Sequence, residues 1–382
     1  MKKVFVKLEY GRGYGRDLLK GIYEYNNQFA NWEIIFEPAY YLKTSKDGNI
    51  GKLLNIMQPD GCIFETASDL SSISNLGIPF IQANSLEKSN KIPHLKGNYK
   101  ADGKVAVDYF LSLGFTSLAF FGAKDLLWSD ERFKHFKTYA HLNNTNVFSY
   151  FIETKSKKDL GHNFESIISW LKSLPKPIGI LCCNDDFGQM LINACSIGDL
   201  KIPYEVAILG IDNDELLCNI THPKLSSIAR NHTKAAFNAC KILDHMMDNK
   251  TIKNHIIPTE PLHVIERTST DTIACNDHEV VKALHYIRNN THLNLTVDNV
   301  VKITSISRRS LYSRFKKVTK KTILEEIQYH KLKKFKELLI NKNLSVKEIA
   351  FHLGFEDVSH VSRWFSAIEG VPPIKWRNEN TS

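Results

Sequence analysis

Leu295-Thr-Val-Asp-Asn-Val-Val-Lys-Ile-Thr-Ser-Ile-Ser-Arg-Arg-Ser-Leu-Tyr-Ser-Arg-Phe-Lys-Lys317 and Leu344-Ser-Val-Lys-Glu-Ile-Ala-Phe-His-Leu-Gly-Phe-Glu-Asp-Val-Ser-His-Val-Ser-Arg-Trp-Phe365 are two versions of one pattern. In each, Thr296 or Ser345 stands before a short apolar-periodic helix. A break follows, and then a second helix opened by a Ser or an acidic residue. That is how a scaffold helix and a recognition helix are written. One such pair is a weak signal, because small helical pairs are common. Two in one basic segment point to DNA.

The charge is distributed accordingly. The chain carries 50 Lys+Arg against 41 Asp+Glu, a net of +9. Residues 271–382 hold 19 of the basic and 12 of the acidic side chains, so most of the excess sits in under a third of the length. Between Lys302 and Lys336 there are twelve basic residues and only two acidic ones, Glu325 and Glu326. A Lys-rich run alone is usually a solvated helix face. Joined to tandem helix pairs, it supplies the local excess that phosphate neutralisation requires.

Length bounds the rest. At 382 residues the chain has room for two or three domains, each with its own core, and 43% apolar with 24% charged residues is an ordinary globular composition. No apolar stretch is long enough to span a bilayer. The start, Met1 to Tyr10, alternates at Val4, Val6 and Leu8 like a strand and lacks the apolar core of a signal peptide, so a cytoplasmic protein is expected. The seven Cys are scattered, mostly in apolar runs and without a Cys-x-x-Cys pair, which fits buried thiols in a reducing compartment.

Upstream of residue 270 the pattern changes. Short apolar runs at Lys3–Leu8, Gly61–Phe64, Pro79–Gln82, Ser117–Phe121, Ile178–Cys183 and Val206–Ile211 alternate with helical periodicity near 15–27, 100–113, 130–142, 163–173, 186–197 and 233–247. Such alternation argues for doubly wound parallel sheets, and so many units suggest two α/β lobes. Ligands of these sheets sit beyond the carboxyl ends of the strands. The residues found there are polar or aromatic: Glu65, Asn84, Trp128, Arg132, Asn184, Asp185 and Asp212. Carboxylates, amides and Arg can hold paired hydroxyls while a ring packs on the apolar face of a pyranose. Taken singly, an Asp or Asn after a strand is more often a helix cap, and a Trp more often core. Their recurrence at one topological place favours a sugar site.

The C-terminal segment resembles the AraC-type DNA-binding domain, through Lys347-Glu-Ile-Ala-Phe-His-Leu-Gly-Phe355, Ser362-Arg-Trp-Phe365, Gly370, Pro373 and Arg377. The first 265 residues resemble the periplasmic-binding-protein-like core of LacI-type repressors, through Ile180-Leu-Cys-Cys-Asn-Asp185, Val206-Ala-Ile-Leu-Gly-Ile-Asp212 and Glu131-Arg132. Gly210 to Leu216, Val264 to Asp271 and Leu284 to Asn289 resemble the xylose-responsive subgroup that joins these two modules in this order. The resemblance covers essentially the whole chain. It implies a two-lobed periplasmic-binding-protein-like domain over 1–265, a linker over 266–278 and an all-α double helix-turn-helix domain over 279–382. It also adds Tyr14, Arg16 and Arg230 to the sugar site. The implied partners are promoter DNA half-sites, a free monosaccharide with D-xylose foremost, a second copy of the chain and RNA polymerase. The resemblance implies activation, with another monosaccharide or repression by the same architecture as the alternative, and it implies no cofactor or metal.

Base contacts are expected from Arg308, Arg309, Tyr312 and Ser313 in the first unit and from Asp357, Ser359, His360 and Arg363 in the second. Lys316, Lys317, Lys320 and Lys321 suit phosphate. The segment 322–341 reads as a helical spacer between recognition helices about one DNA turn apart. Several positions depart from the family pattern: Phe335 replaces a small residue, Lys320 stands where Gly is common, Ser366-Ala367 replace a Lys pair, and Glu65 stands for an expected Asp. Enzyme chemistry finds little support. Gly11-Arg-Gly-Tyr-Gly15 lacks dinucleotide-loop spacing, Asp185-Asp186 reads as hinge or cap, and no nucleophile–base pair stands out.

Overall fold

The computed structural model describes residues 1–36, 50–65, 76–83, 92–153, 160–250, 252, 255–275, 277–340, 344–355 and 358–380. The chain divides into two compact units, Met1–Asp271 and Thr272–Ser382.

The first unit holds two six-stranded sheets. Strands β1 (Lys3–Lys7), β2 (Glu33–Phe36), β3 (Gly61–Phe64), β4 (Phe80–Gln82) and β5 (His94–Gly97) are joined by β11 (Ile256–Thr259) in the order β11-β5-β4-β3-β1-β2, all parallel. Strands β6 (Leu118–Ala123), β7 (Val147–Ile152), β8 (Ile178–Cys182), β9 (Val206–Asp212), β10 (Ser226–Arg230) and β12 (Pro261–Ile265) form the second sheet, in the order β12-β10-β9-β8-β6-β7. Among the described strands of this sheet only β12 runs antiparallel, against β10. The central strands β6 and β8 are buried at every position, as parallel strands covered on both faces must be.

Helices α1 (Gly13–Tyr25), α2 (Ile50–Met57) and α8 (His232–Met247) cover the first sheet. Leu18 and Ile22 of α1 share a core with Ala236, Ala239 and Leu243 of α8 and with Val4 and Val6 of β1. Gly21 permits that approach, since a Cβ there would collide with the Thr233 carbonyl oxygen. The second sheet carries α3 (Tyr99–Ser112), α4 (Leu127–Leu142), α5 (Leu160–Ser173), α6 (Asp185–Ile197) and the short α7 (Glu215–Ile220). Phe121, Ile180, Ile208 and Leu191 form the centre of its core.

Among the described residues the chain passes between the lobes three times, near Asn98, Asn231 and Glu260. These crossings are stitched together: Asn98 Nδ2 donates to Glu260 Oε2 at 2.7 Å, and the Glu260 amide donates to Asn231 Oδ1 at 2.7 Å. The Asn231 amide returns a bond to the Glu260 carbonyl at 3.1 Å. Residues 266–271 fall in the segment read from sequence as linker, yet they pack on this unit. Ser269 and Thr270 are buried, and Ser269 Oγ donates to the Ile208 carbonyl at 2.6 Å.

The second unit is helical: α9 (His278–Asn289), α10 (Val297–Lys302), α11 (Arg308–Thr319), α12 (Ile323–Ile340), α13 (Val346–His352), α14 (Val358–Glu369) and α15 (Pro373–Asn380). Thr296 and Ser345 each form a reciprocal capping box, with Asn299 and Glu348, so both scaffold helices start where the sequence marks them. Lys320, in the place where Gly is common, closes α11 in the left-handed region at φ 60°. Phe335 is fully buried and packs against Phe365 and Trp364, so the larger residue fills the second bundle's core instead of disrupting it. Arg377 Nε donates to the Leu339 carbonyl at 2.8 Å and its guanidinium to that of Leu344 at 2.6 Å, tying α15 to the end of α12. Among the described residues no helix is long and apolar enough to cross a membrane.

Candidate ligand cleft and nucleic-acid interface

A cavity of about 130 Å³ lies where the two lobes meet. That is small beside the roughly 300–1,000 Å³ of pockets for drug-sized ligands. Its walls come from strand ends and from the residues just past the crossings: Glu9, Arg12 and Tyr14 after β1, Glu65 after β3, Tyr99 at the start of α3, Trp128 and Arg132 on α4, and Asn184 and Asp185 after β8. Asp212 ends β9, Arg230 ends β10, His232 opens α8 and Thr259 ends β11.

The cationic groups in these walls are neutralised from within. Arg132 donates through one terminal nitrogen to Asp212 Oδ1 at 2.9 Å and through the other to the Cys183 carbonyl. Its guanidinium carbon lies 5.4 Å from the Trp128 ring centroid. Arg230 bonds Asp102 and gives its other terminal nitrogen to the Thr259 carbonyl at 2.7 Å and hydroxyl at 2.9 Å. His232 Nε2 lies 3.3 Å from Asp212 Oδ1, and its ring meets Tyr14 edge-on with centroids 4.7 Å apart. Burial opposes ionisation of Asp212, but Arg132, His232 and Arg230 outweigh it and hold the carboxyl far below its ordinary range. Arg132 is correspondingly raised: its carboxylate neighbours overcome its own burial.

Not every polar atom is satisfied. Asp102 Oδ2 and Arg132 Nε face each other at 3.6 Å, too long for a hydrogen bond, and His232 Nδ1 has no hydrogen-bond partner. Burial pushes the Tyr14 phenol and the Glu65 carboxyl upward, and pushes Asp185 up to about 8, with the Asp212 charge adding to the last. Asp185 is braced on both oxygens, by the Ser227 hydroxyl at 2.6 Å and the Asp214 amide at 2.6 Å.

Of the residues expected at this site, Tyr14, Glu65, Trp128, Arg132, Asn184, Asp185, Asp212 and Arg230 come together around one cavity. Arg16 does not line it. Its guanidinium is drawn away to Asp214 at 2.6 Å and to the Gly11 carbonyl at 2.6 Å. Asn84 lies outside the described residues. Sequence reading missed Tyr99, His232, Thr259 and the fully buried Asp102, which stands behind both arginines. Asp102 sits in the first turn of a helix, where an acid reads as a dipole partner. His232 follows a crossing that no apolar run announces.

The second unit presents the opposite arrangement. On α11, Arg308, Arg309, Ser313, Lys316 and Lys317 are exposed and Tyr312 is half-buried, while Leu311, Phe315 and Thr319 face the core. The helical period therefore puts the expected base and phosphate contacts on one outward stripe. Arg308 is held meanwhile by Asp298 at 2.5 Å and stacks over Tyr312, 5.5 Å from its centroid. Lys320 is exposed, whereas the Lys321 ammonium lies 3.8 Å from the Tyr329 ring centroid. On α14, Arg363 is exposed while Val361 and Phe365 are buried. Asp357, and the side chains of Ser359 and His360, lie outside what is described.

Comparisons with known proteins agree with this division. Residues 107–270 match the periplasmic binding protein-like domain, and residues 300–379 match a helix-turn-helix domain. The xylose operon regulatory protein of Escherichia coli K12 is 27% identical over 97% of this chain and 95% of its own length. That of Haemophilus influenzae is 26% identical over 98% of each. A solved structure described as a xylose-binding transcription activator superposes with a TM-score of 0.80 at 24% identity, covering 100% of this chain and 98% of its own.

Proposed function

We propose, from the premise that the chain is a transcription regulator joining a periplasmic-binding-protein-like sensor to an AraC-type helix-turn-helix domain, that it binds a free pentose, D-xylose foremost, and activates genes for its use. The observation that carries this is the state of charge in the cleft. Arg132 and Arg230 already spend their charge on Asp102 and Asp212, so little positive potential remains for a phosphate or a carboxylate. What remains is hydrogen-bonding capacity beside an aromatic ring, at a cavity of monosaccharide size. A neutral polyol uses that combination, and an analogue lacking a hydroxyl leaves buried groups unpaired.

In this reading Asp212 and Arg132 grip adjacent hydroxyls and Trp128 takes the apolar face. Tyr14 and Glu65 approach from the other lobe, and Asn184 and Asp185 close the side after β8. Sugar binding favours closed lobes, and a second copy of the chain sets the placement of the paired recognition helices on promoter half-sites. RNA polymerase is the downstream partner. The xylose named in the relatives' descriptions supports the choice of pentose, and Glu65 in place of a shorter acid is where the choice would fail.

Thermal denaturation against a panel of monosaccharides tests it. A ligand bound only by the folded sensor raises the melting temperature by mass action, on the order of 2.7 kcal/mol at a hundredfold excess over Kd. A shift with D-xylose is expected. A shift with another sugar alone replaces the ligand, and none with any monosaccharide overturns the reading.

A further inference from the structure

The turn after β9 runs Asp212-Asn213-Asp214 in a backbone that side chains rarely adopt, with φ of 100° at Asp212 and 53° at Asn213. Two consecutive non-glycine residues in the left-handed region persist only where the surroundings over-determine them. Here they are over-determined. Asp212 is held by Arg132 and His232, the Asn213 amide donates to Ser227 Oγ at 3.0 Å, and the Asp214 amide donates to Asp185 Oδ2 at 2.6 Å.

One further bond leads away from the cleft. Arg267 donates from a terminal nitrogen to Asn213 Oδ1 at 2.9 Å and from the other to the Leu225 carbonyl at 2.9 Å. Its backbone amide donates to Ser226 Oγ at 2.8 Å. Arg267 opens the short run that ends the first unit at Asp271, where the chain continues into the helix-turn-helix unit. Neither Asn213 nor Arg267 lines the cavity that Asp212 lines. The contact is therefore one residue from a ligand-facing carboxylate and four residues from the end of the sensor.

We propose that the Asn213–Arg267 hydrogen bond is the sensor's output contact: ligand on Asp212 sets the strained turn, and the turn, through Asn213, sets the anchoring of the segment that leads to the DNA-binding unit. Asn213 and Arg267 are thus positioning residues that touch no ligand. The physical basis is adjacency in a strained turn. Asp212 cannot change its backbone without moving Asn213, and linkage makes the coupling reciprocal. The proposal rests on the sugar-sensor reading above.

The test compares Asn213→Gly, which keeps the left-handed backbone and removes only the amide, with Asn213→Asp, which keeps an acceptor for Arg267. Full-length proteins are titrated with the duplex that the wild type enriches from a random pool in D-xylose, with and without that sugar. D-xylose affinity is measured separately by calorimetry. Couplings between sites are typically roughly 5–150-fold. In N213G the ratio of DNA affinities with and without sugar should fall to within about threefold of unity, and D-xylose affinity should change less than about threefold, well inside that range. N213D should keep the wild-type ratio. An unchanged ratio in N213G overturns the output contact while leaving the sensor intact. Equal loss in N213G and N213D overturns it in favour of a general packing role. If the wild type answers to another monosaccharide, the same ratios are read with that sugar; a wild type that binds no monosaccharide overturns the sensor reading and takes the output contact with it.

Discussion

The cleft and the outer face of α11 use the same side chain in opposite ways. Arg132 and Arg230 are almost completely buried, each bound to a carboxylate and to a backbone carbonyl. Arg309, Lys316 and Lys317 stand in solvent on one helical stripe. A buried, paired guanidinium is a fixed donor array of little net charge, suited to orienting hydroxyls. An exposed one keeps its long-range field, suited to a polyanion. Burial, not residue type, decides which molecule an arginine addresses.

Three substitutions probe that contrast, in descending size. Arg132→Met takes from Asp212 its nearest cationic partner and from Asp102 a neighbouring one, leaving Asp212 beside His232 and Asp102 bonded to Arg230. Removing one partner of a buried pair costs about 3–5 kcal/mol, read as a lowered denaturant midpoint, and no sugar should then shift the melting temperature. A variant of wild-type stability that still answers to sugar would break the contrast at its buried end.

Next comes pH. The Asp185 carboxyl is raised from 3.8 to about 8, so the folded sensor holds its proton where the unfolded chain releases it. That contribution is complete below pH 3.8 and is lost as pH rises through about 8. The sensor's melting temperature should accordingly decline across this window, and Asp185→Asn should flatten the decline. An identical slope in the variant would assign it to another group. Smallest is Lys317→Ala, which should leave unfolding unchanged and reduce the slope of log affinity against log salt by about 0.9 for one lost phosphate contact. An unchanged slope would remove Lys317 from the DNA-facing stripe.

Much of this could be read from sequence where hydrophobic pattern and function coincide. The run Ile178 to Cys183 announces a buried strand, and its polar successors Asn184 and Asp185 fall at the cleft because parallel strands deliver their carboxyl ends there. The capping residues Thr296 and Ser345 mark their helices by a local hydrogen bond, which needs no tertiary context. What escaped is non-local. β10 reads Ser-Ser-Ile-Ala-Arg and carries little apolar signal, because its serines bond Asp185 and the returning segment at Ser269. Asp102 lies 128 positions from the Arg230 it neutralises, and no spacing rule connects them. Arg16 stands apart from the cavity lining because its partner, Asp214, comes from the opposite lobe, a pairing that no local pattern announces.

The triple crossing also bears on how the protein is made. The first sheet is closed at one edge by β11, which pairs with β5 only after the whole second sheet except β12 has been laid down. Roughly 160 residues separate the two strands, and at about 5–20 residues per second a ribosome takes on the order of 8–30 s to supply them. For most of that interval the outer edge of β5 is unpaired, on a nascent lobe that still lacks α8, the helix covering its core. Vectorial synthesis thus holds the N-terminal lobe, the first to emerge, incomplete until β11 is made, just ahead of the β12 that completes the second sheet, and the edge of β5 is where a holding chaperone would be needed.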